Sequence, residues 1–543
     1  MKNSITAEQI AREYARGVRY KEGCGRHGMF RQNEINERFY IGDQWYGAGC
    51  GEDRPLVRQN IIKRIADYKM SVVSPDAVSV TYTAQGIAES EQSRKALEDW
   101  RRGTVEDTCD GDTKASRISA ALSDHFAATA ERLKFDDLTQ KVMQDAYITG
   151  TGILYTYWDD RLDTGLFADT ARQFPIKGDI VSEVLHIDQV FLGDPAEDTL
   201  QAQPFLLIAQ QKEVEALKAT ARRYGGNGWK SIRPDATYPT EEDAPQKATV
   251  LTRFWKEWDE NGDCRVWGMQ VAGGAVVRPP WCLGIHLYPL ADFRWCTRHG
   301  CGYGESEIPY LIPNQIAINR MLTAGVWAMM MTGMPIMLVN GDVVTQPVTN
   351  DPGQVIPVYG NGEDVDRAIK YVDPPAYSSQ FSAGISSLIN DTLNQAGVSG
   401  VMLGDVRPDN ASAILAVREA AVKPMQLIRN RFFSFCEDVA RIWADFWVQM
   451  YGRRPLRLSG AFGSRYCTFD AADCASLLFS VKVDVAESVA SDQQTTLNLL
   501  SKMLEDGVIT PEQYVSRLPA GSIPGQRRLL QELREQKNQE VPQ

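Results

Sequence analysis

At roughly 150 residues per domain, the 543 residues correspond to about three or four domain-sized units. The composition, 24% charged and 43% hydrophobic, is that of an ordinary folded chain and excludes a disordered, fibrous or small disulfide-framed protein. Lys plus Arg number 58 against 70 Asp plus Glu, a net charge of −12, so the surface as a whole is a poor clamp for nucleic acid, which is gripped by cations that displace counterions. Ten cysteines, dilute for this length, point to a reducing compartment.

Met1 to Tyr20 carries Lys2, Glu8, Arg12, Glu13 and Arg16 with no continuous apolar run, which predicts an amphipathic helix and no signal peptide. Arg31 to Phe39 reads as helix, broken by Tyr40-Ile41-Gly42-Asp43-Gln44-Trp45. Asn60 to Val73 is a second helix with Ile61, Ile65 and Tyr68 on one side, stopped by Pro75. Asp136 to Thr149 is a third, ended by Gly150 and Gly152, after which Ile153 to Trp158 alternates as a strand does. Residues 225–246 read as a surface loop. Thr249 to Val277 is the clearest β-region, with turn signals at Asn261-Gly262 and Gly273-Gly274.

Past Gly304 the pattern becomes one of long helices. Ser306 is a candidate cap, Pro309 and Pro313 stand near the helical start, and the helix is expected to reach Thr332. Pro335 to Pro375 reads as a β-and-loop insert, and Tyr377 to Gln395 as helix again. Ser412 to Tyr451 is the longest helical pattern, with a kink expected at Pro424. Its stripe of Met425, Ile428, Phe432, Phe435, Val439, Ile442 and Phe446 is widened by Phe433, Cys436, Ala440, Trp443 and Trp447, and so asks for neighbours on more than one side. Strands are expected from Cys467 to Val485 and small helices from Gln494 to Asn538.

No nucleotide-binding loop, paired-histidine protease motif or serine elbow occurs. Gly150-Thr151-Gly152 precedes a strand rather than opening a helix, the wrong setting for a phosphate loop. Cys282, His286, Cys296, His299 and Cys301 are residue types that bind zinc, although their spacing matches no common ligand pattern; buried thiols and incidental histidines are the competing reading. The uncharged run Met321 to Val339 approaches the length of a membrane span but contains Gly333 and Pro335; a helix buried in an assembly is the competing expectation. Between Asp373 and Asp405 Asp391 is the lone charge, with Phe381, Ile385, Leu388 and Thr392 on one helical face and Ser379, Ser382, Ser386, Asn390 and Asn394 on another.

In this order the pieces resemble the portal protein, or head–tail connector, of short-tailed bacteriophages. The carrying residues are Glu37-Arg38-Phe39-Tyr40, Gly42-Asp43-Gln44-Trp45, Arg54-Pro55 and Asn60-Ile61; then Gly302-Tyr303-Gly304-Glu305-Ser306, Pro313, Gln315 and Ala317-Ile318-Asn319; then Gly397-Val398-Ser399-Gly400, Gly404 and the Ser412 to Tyr451 helix. The resemblance implies an α+β fold with an α/β wing (1–304), stem helices (305–333 and 377–399), a β-containing clip (334–376), a tunnel loop (400–412), a long wing helix (413–451), wing strands (452–490) and a small helical crown (491–543). It also implies a non-enzymatic homo-oligomeric ring of twelve at one capsid vertex of the virion, assembled in the host bacterial cytoplasm without membrane, metal or cofactor. Its implied partners are duplex DNA in the channel, the terminase large subunit, a head-completion or adaptor protein, and the major capsid and scaffolding proteins. Channel-facing candidates are Ser386, Asn390 and Asp391 on the stem and Arg407, Asp409 and Asn410 in the tunnel loop. Arg407, between Asp405 and Asp409, is either a moderated phosphate contact or half of a salt bridge.

Overall fold

A computed structural model of the chain describes residues 5–45, 56–74, 78–86, 113–167, 175–235, 246–260, 262–333, 337–342, 344, 355, 357–358, 368–371, 379–398, 423–460, 463–471, 477–485, 500–507, 509–511 and 514–515. The fold is α+β, and the chain divides into two compact units, each assembled from separated stretches. The first comprises Met1–Glu34, Lys69–Glu307 and Val422–Gln543; the second comprises Ile35–Tyr68 and Ile308–Ala421.

The helices in chain order are α1 (Ala7–Gly23), α2 (Met29–Ile41), α3 (Ile61–Val73), α4 (Thr113–Leu133) and α5 (Phe135–Thr149). They continue with α6 (Val214–Tyr224), α7 (Ile308–Gly333), α8 (Ser379–Gln395) and α9 (Gln426–Met450). Strands β1 (Val78–Gly86) and β14 (Leu477–Val485) pair antiparallel, as do β12 (Arg453–Gly460) and β13 (Gly463–Asp470). A three-stranded sheet runs β3 (Pro175–Leu185), β2 (Thr151–Phe167), β9 (Leu290–Arg294). A five-stranded antiparallel sheet runs in sequence order through β4 (Val190–Leu192), β5 (Phe205–Glu213), β6 (Lys247–Trp258), β7 (Cys264–Ala272) and β8 (Ala275–Cys282).

In the first unit the five-stranded sheet buries Phe191, Phe205, Leu207, Leu251, Met269 and Val271 against Ile10 of α1. A second cluster joins Val214, Leu217 and Ala221 of α6 to Val250, Ala272 and Val277. The densest packing surrounds α9. Phe432 meets Phe293 of β9 edge-on, Trp443 packs on Phe126 of α4 and Phe135 of α5, and Trp447 lies against Tyr82 of β1. The Tyr82 hydroxyl donates to the Ala440 carbonyl at 2.8 Å. Each such ring removes roughly 150–250 Å² from water, so at about 25 cal/mol per Å² this helix anchors the unit.

These contacts explain the wide apolar stripe without calling on another subunit: Phe432, Phe435, Cys436, Val439, Ala440, Trp443 and Trp447 are all buried inside one chain. The described part of the long helix begins just past the expected kink. Pro424 lies in a 3₁₀ turn, Lys423–Met425, and α9 begins after it at Gln426. A proline there removes a donor that a helix start does not use. The expected stretch 413–422 lies outside the described residues.

In the second unit α7 and α8 pack together, with Asn314 Nδ2 donating to Thr392 Oγ1 at 3.2 Å and Gln395 Oε1 at 3.3 Å. Between them β10 (Met337–Val339) pairs antiparallel with β11 (Ile369–Tyr371). Of the expected crown, residues 500–505 are helical, and most of the remainder lies outside the described residues.

Candidate functional site

The residues nominated on α8 fall on one face. Ser382, Ser386, Asn390 and Asn394 recur every four residues and are all exposed, as are Ser387 and Asp391, while Ile385 and Thr392 are buried on the other side. Ser387 Oγ donates to Asp391 Oδ2 at 3.4 Å. This face offers hydroxyls, amides and one carboxylate, and no cation. Arg407, Asp409 and Asn410 lie outside the described residues.

Helix α7 carries a polar seam of the motif residues Gln315 and Asn319, whose hydrogen-bonding role the sequence alone did not reveal. Gln315 and Asn319 are buried, and with Thr323 they stand one helical turn apart. Gln315 Oε1 accepts the Ile61 N–H at 3.0 Å, and its Nε2 donates to the Gln59 carbonyl at 2.6 Å and to Asn319 Oδ1 at 3.0 Å. Asn319 Nδ2 donates to Gln44 Oε1 at 2.6 Å, Asn319 Oδ1 accepts the Gln59 N–H at 3.2 Å, and Thr323 Oγ1 accepts the Val57 N–H at 3.1 Å. Asn60 Nδ2 closes the set on the Tyr40 carbonyl at 2.9 Å. The early motif residues Tyr40, Gln44 and Asn60-Ile61 therefore form one hydrogen-bonded block with Gln315 and Asn319. An uncharged polar repeat at four-residue spacing on an otherwise apolar helix was the available signal.

The glycine motifs have a packing role. Gly150 has a φ of +97°, and a Cβ there would come within 2.5 Å of the Gly304 carbonyl oxygen. Reciprocally, a Cβ on Gly304 would collide with the Gly150 carbonyl. Trp295 N–H donates to the Gly150 carbonyl at 3.0 Å, Gly304 N–H donates to Thr151 Oγ1 at 2.8 Å, and the Ser306 hydroxyl donates to the Tyr147 carbonyl at 2.7 Å. Gly150-Thr151-Gly152 thus spends its freedom on a backbone neighbour.

The five cysteine and histidine candidates are engaged separately. Cys282 is exposed at the end of β8, Cys296 forms an isolated bridge with Glu305, and Cys301 is buried 3.8 Å from the Tyr20 hydroxyl. His299 is exposed. His286 Nδ1 lies 2.9 Å from Asp445 Oδ1, whose other oxygen accepts the His286 and Leu287 N–H groups. The hydrogen bond to Asp445 raises the His286 pKa above its ordinary value, with burial opposing. Among the described residues no group of three or more His, Cys, Asp or Glu side chains could hold a metal ion.

The apolar run does not form a single span. Helix α7 ends at Gly333, β10 starts at Met337, and among the described residues no helix is long and apolar enough to cross a membrane. Trp327, Met329 and Met330 near its end are 38%, 53% and 48% exposed. The chain matches no known family model and no curated protein.

Proposed function

We propose that the chain is the portal subunit of a tailed bacteriophage: a non-enzymatic component of a ring at one capsid vertex. A separate terminase motor drives duplex DNA through the ring, the genome later leaves by it, and a head-completion protein docks on it. The observation that carries this reading is the second unit, in which α7 and α8 bracket a β-closed insert and α8 offers an exposed face without a cation. Duplex DNA carries about one negative charge per 1.7 Å of axis, and each Lys or Arg on a phosphate adds affinity through counterion release. A wall of Ser386, Asn390 and Asp391 gives a sliding duplex little to hold. The exposed Trp327, Met329 and Met330 supply apolar surface for a neighbouring copy, as head-to-tail ring contacts require. Arg407, with Asp409 and Asn410, belongs to the loop that the reading places at the constriction, where flanking acids moderate its pull on phosphate.

The deciding experiment is negative-stain imaging with native mass determination on detergent-free protein. The expected result is a ring with a central hole and a mass near twelve times the 60.6 kDa chain. A closed ring of a neighbouring number also supports the reading. A small closed oligomer carrying one zinc per chain overturns it.

A further inference from the structure

A cleft of about 380 Å³ opens in the first unit between the three-stranded and five-stranded sheets. That volume falls in the range of small-molecule sites, roughly 300–1,000 Å³. The five-stranded sheet is apolar on the side that covers α1, and period-2 alternation sends different residues to the cleft: Gln210, Thr252, Gln270 and Arg278. Across from them β2 contributes Tyr155 and Tyr157, whose rings lie 5.3 Å apart.

The polar groups of this cleft are unbalanced. Gln210 Nε2 donates to Glu183 Oε1 at 3.1 Å and Gln270 Nε2 to Thr252 Oγ1 at 3.3 Å, so the amides and the wall carboxylate already have partners. The Tyr155 and Tyr157 hydroxyls, the Trp281 indole N–H, the Arg278 guanidinium and the Lys212 ammonium hydrogen-bond or ion-pair with no other described residue. The nearby Asp160 is taken by Arg223 at 2.9 Å. Donors therefore outnumber acceptors, and the wall has two cations against the one carboxylate of Glu183.

Arg278 is also held in place. Its guanidinium lies 3.8 Å from the centre of the Trp281 ring and 4.2 Å from that of Tyr224. Trp281 in turn lies so close over Gly268 that a Cβ there would come within 2.7 Å of the indole. A stacked guanidinium keeps its edge donors free in a fixed fork, the geometry that recognises carboxylate and phosphate.

We propose that this cleft binds a small planar anion, an aromatic ring carrying one carboxylate or phosphate group. Arg278 takes the anion, and the rings of Tyr155, Tyr157 and Trp281 contact the planar body. The site is independent of ring assembly, because every residue invoked belongs to one unit of one chain.

Cys282 lines the cleft and is exposed, which supplies a reporter. The full-length protein is alkylated with iodoacetamide, and modification of Cys282 is followed by peptide mass spectrometry. The probes are benzoate and adenosine 5′-monophosphate, with benzyl alcohol and adenosine as their uncharged counterparts. At ten times its Kd, a bound probe slows alkylation about tenfold by mass action. At least one anion is expected to protect saturably while its uncharged counterpart does not, and Arg278→Met is expected to abolish the protection. Protection by the phosphate alone or the carboxylate alone assigns the anion class. No protection by either anion up to millimolar concentration, or equal protection by charged and uncharged probes, overturns the proposal. That comparison is made within the wild-type protein, so it stands even where Arg278→Met fails to fold.

Discussion

Lys21 is wholly buried, and its Nζ donates to the carbonyls of Ile187 at 2.5 Å and Val190 at 2.7 Å while lying 4.0 Å from the centre of the Phe191 ring. Burial pushes its pKa down to about 7, with Asp188 and Cys24 opposing. The unfolded lysine titrates near 10.5, so between pH 7 and 10.5 the unfolded chain binds more protons and this group makes stability rise with pH. Lys21→Met leaves two buried carbonyls without a donor and is expected to cost about 2–4 kcal/mol. The gap to wild type should widen from pH 7 to pH 10. Urea midpoints measured across that window test both points; parallel curves would assign Lys21 an unshifted pKa. Nothing in the sequence marks this lysine as buried. It reads as one more charge on an amphipathic helix, because its partners are 166 and 169 residues away.

Among elements, the seam on α7 decides how the second unit closes. Gln315→Leu keeps the bulk but strips the acceptor from the Ile61 N–H and the donor from the Gln59 carbonyl, both at a helix start where backbone groups lack intrahelical partners. The expected loss is about 2–4 kcal/mol, read as a lower thermal midpoint together with faster proteolysis within 56–74. Unchanged resistance there would remove the seam's role. Helices were legible where periodicity was strong: Asn60 to Val73 was expected and Ile61–Val73 is found, and Asp136 to Thr149 was expected and Phe135–Thr149 is found. Strand partners were not, since β1 and β14 are joined across nearly 400 residues and no local pattern encodes that pairing. The stripe on α9 was legible too, but its neighbours were not, and intrachain aromatics take the place of a second subunit. On α8 the alternation of Ser/Asn and apolar faces was readable because a single helix carries both.

At the level of the whole molecule, Trp327, Met329 and Met330 leave apolar surface uncovered in the single chain. Fully burying a wholly exposed side chain of this kind is worth roughly 1.5–3 kcal/mol; these three are 38%, 53% and 48% exposed, so covering the remainder adds about half of that each at every interface of the proposed ring. The double variant Trp327→Asp, Met330→Asp is expected to shift the protein from rings to monomers with unchanged helical content, measured by mass photometry and far-UV circular dichroism. Rings that persist would locate the ring contacts elsewhere.

The second unit draws on residues 35–68 and then on nothing until Ile308. The Ile61 N–H and its Gln315 acceptor are 254 residues apart. At a translation speed of roughly 5–20 residues per second, that interval lasts on the order of 10–50 s. During it the first strip of the unit has left the ribosome with Ile61, Ile62 and Ile65 uncovered, while the other unit still lacks Val422–Gln543 and the α9 helix at its centre. The second unit is complete in sequence once Ala421 has been made, while the first still waits for Val422–Gln543, so a chain interrupted before Ala421 holds neither unit whole and the last stretch synthesised serves the first unit alone.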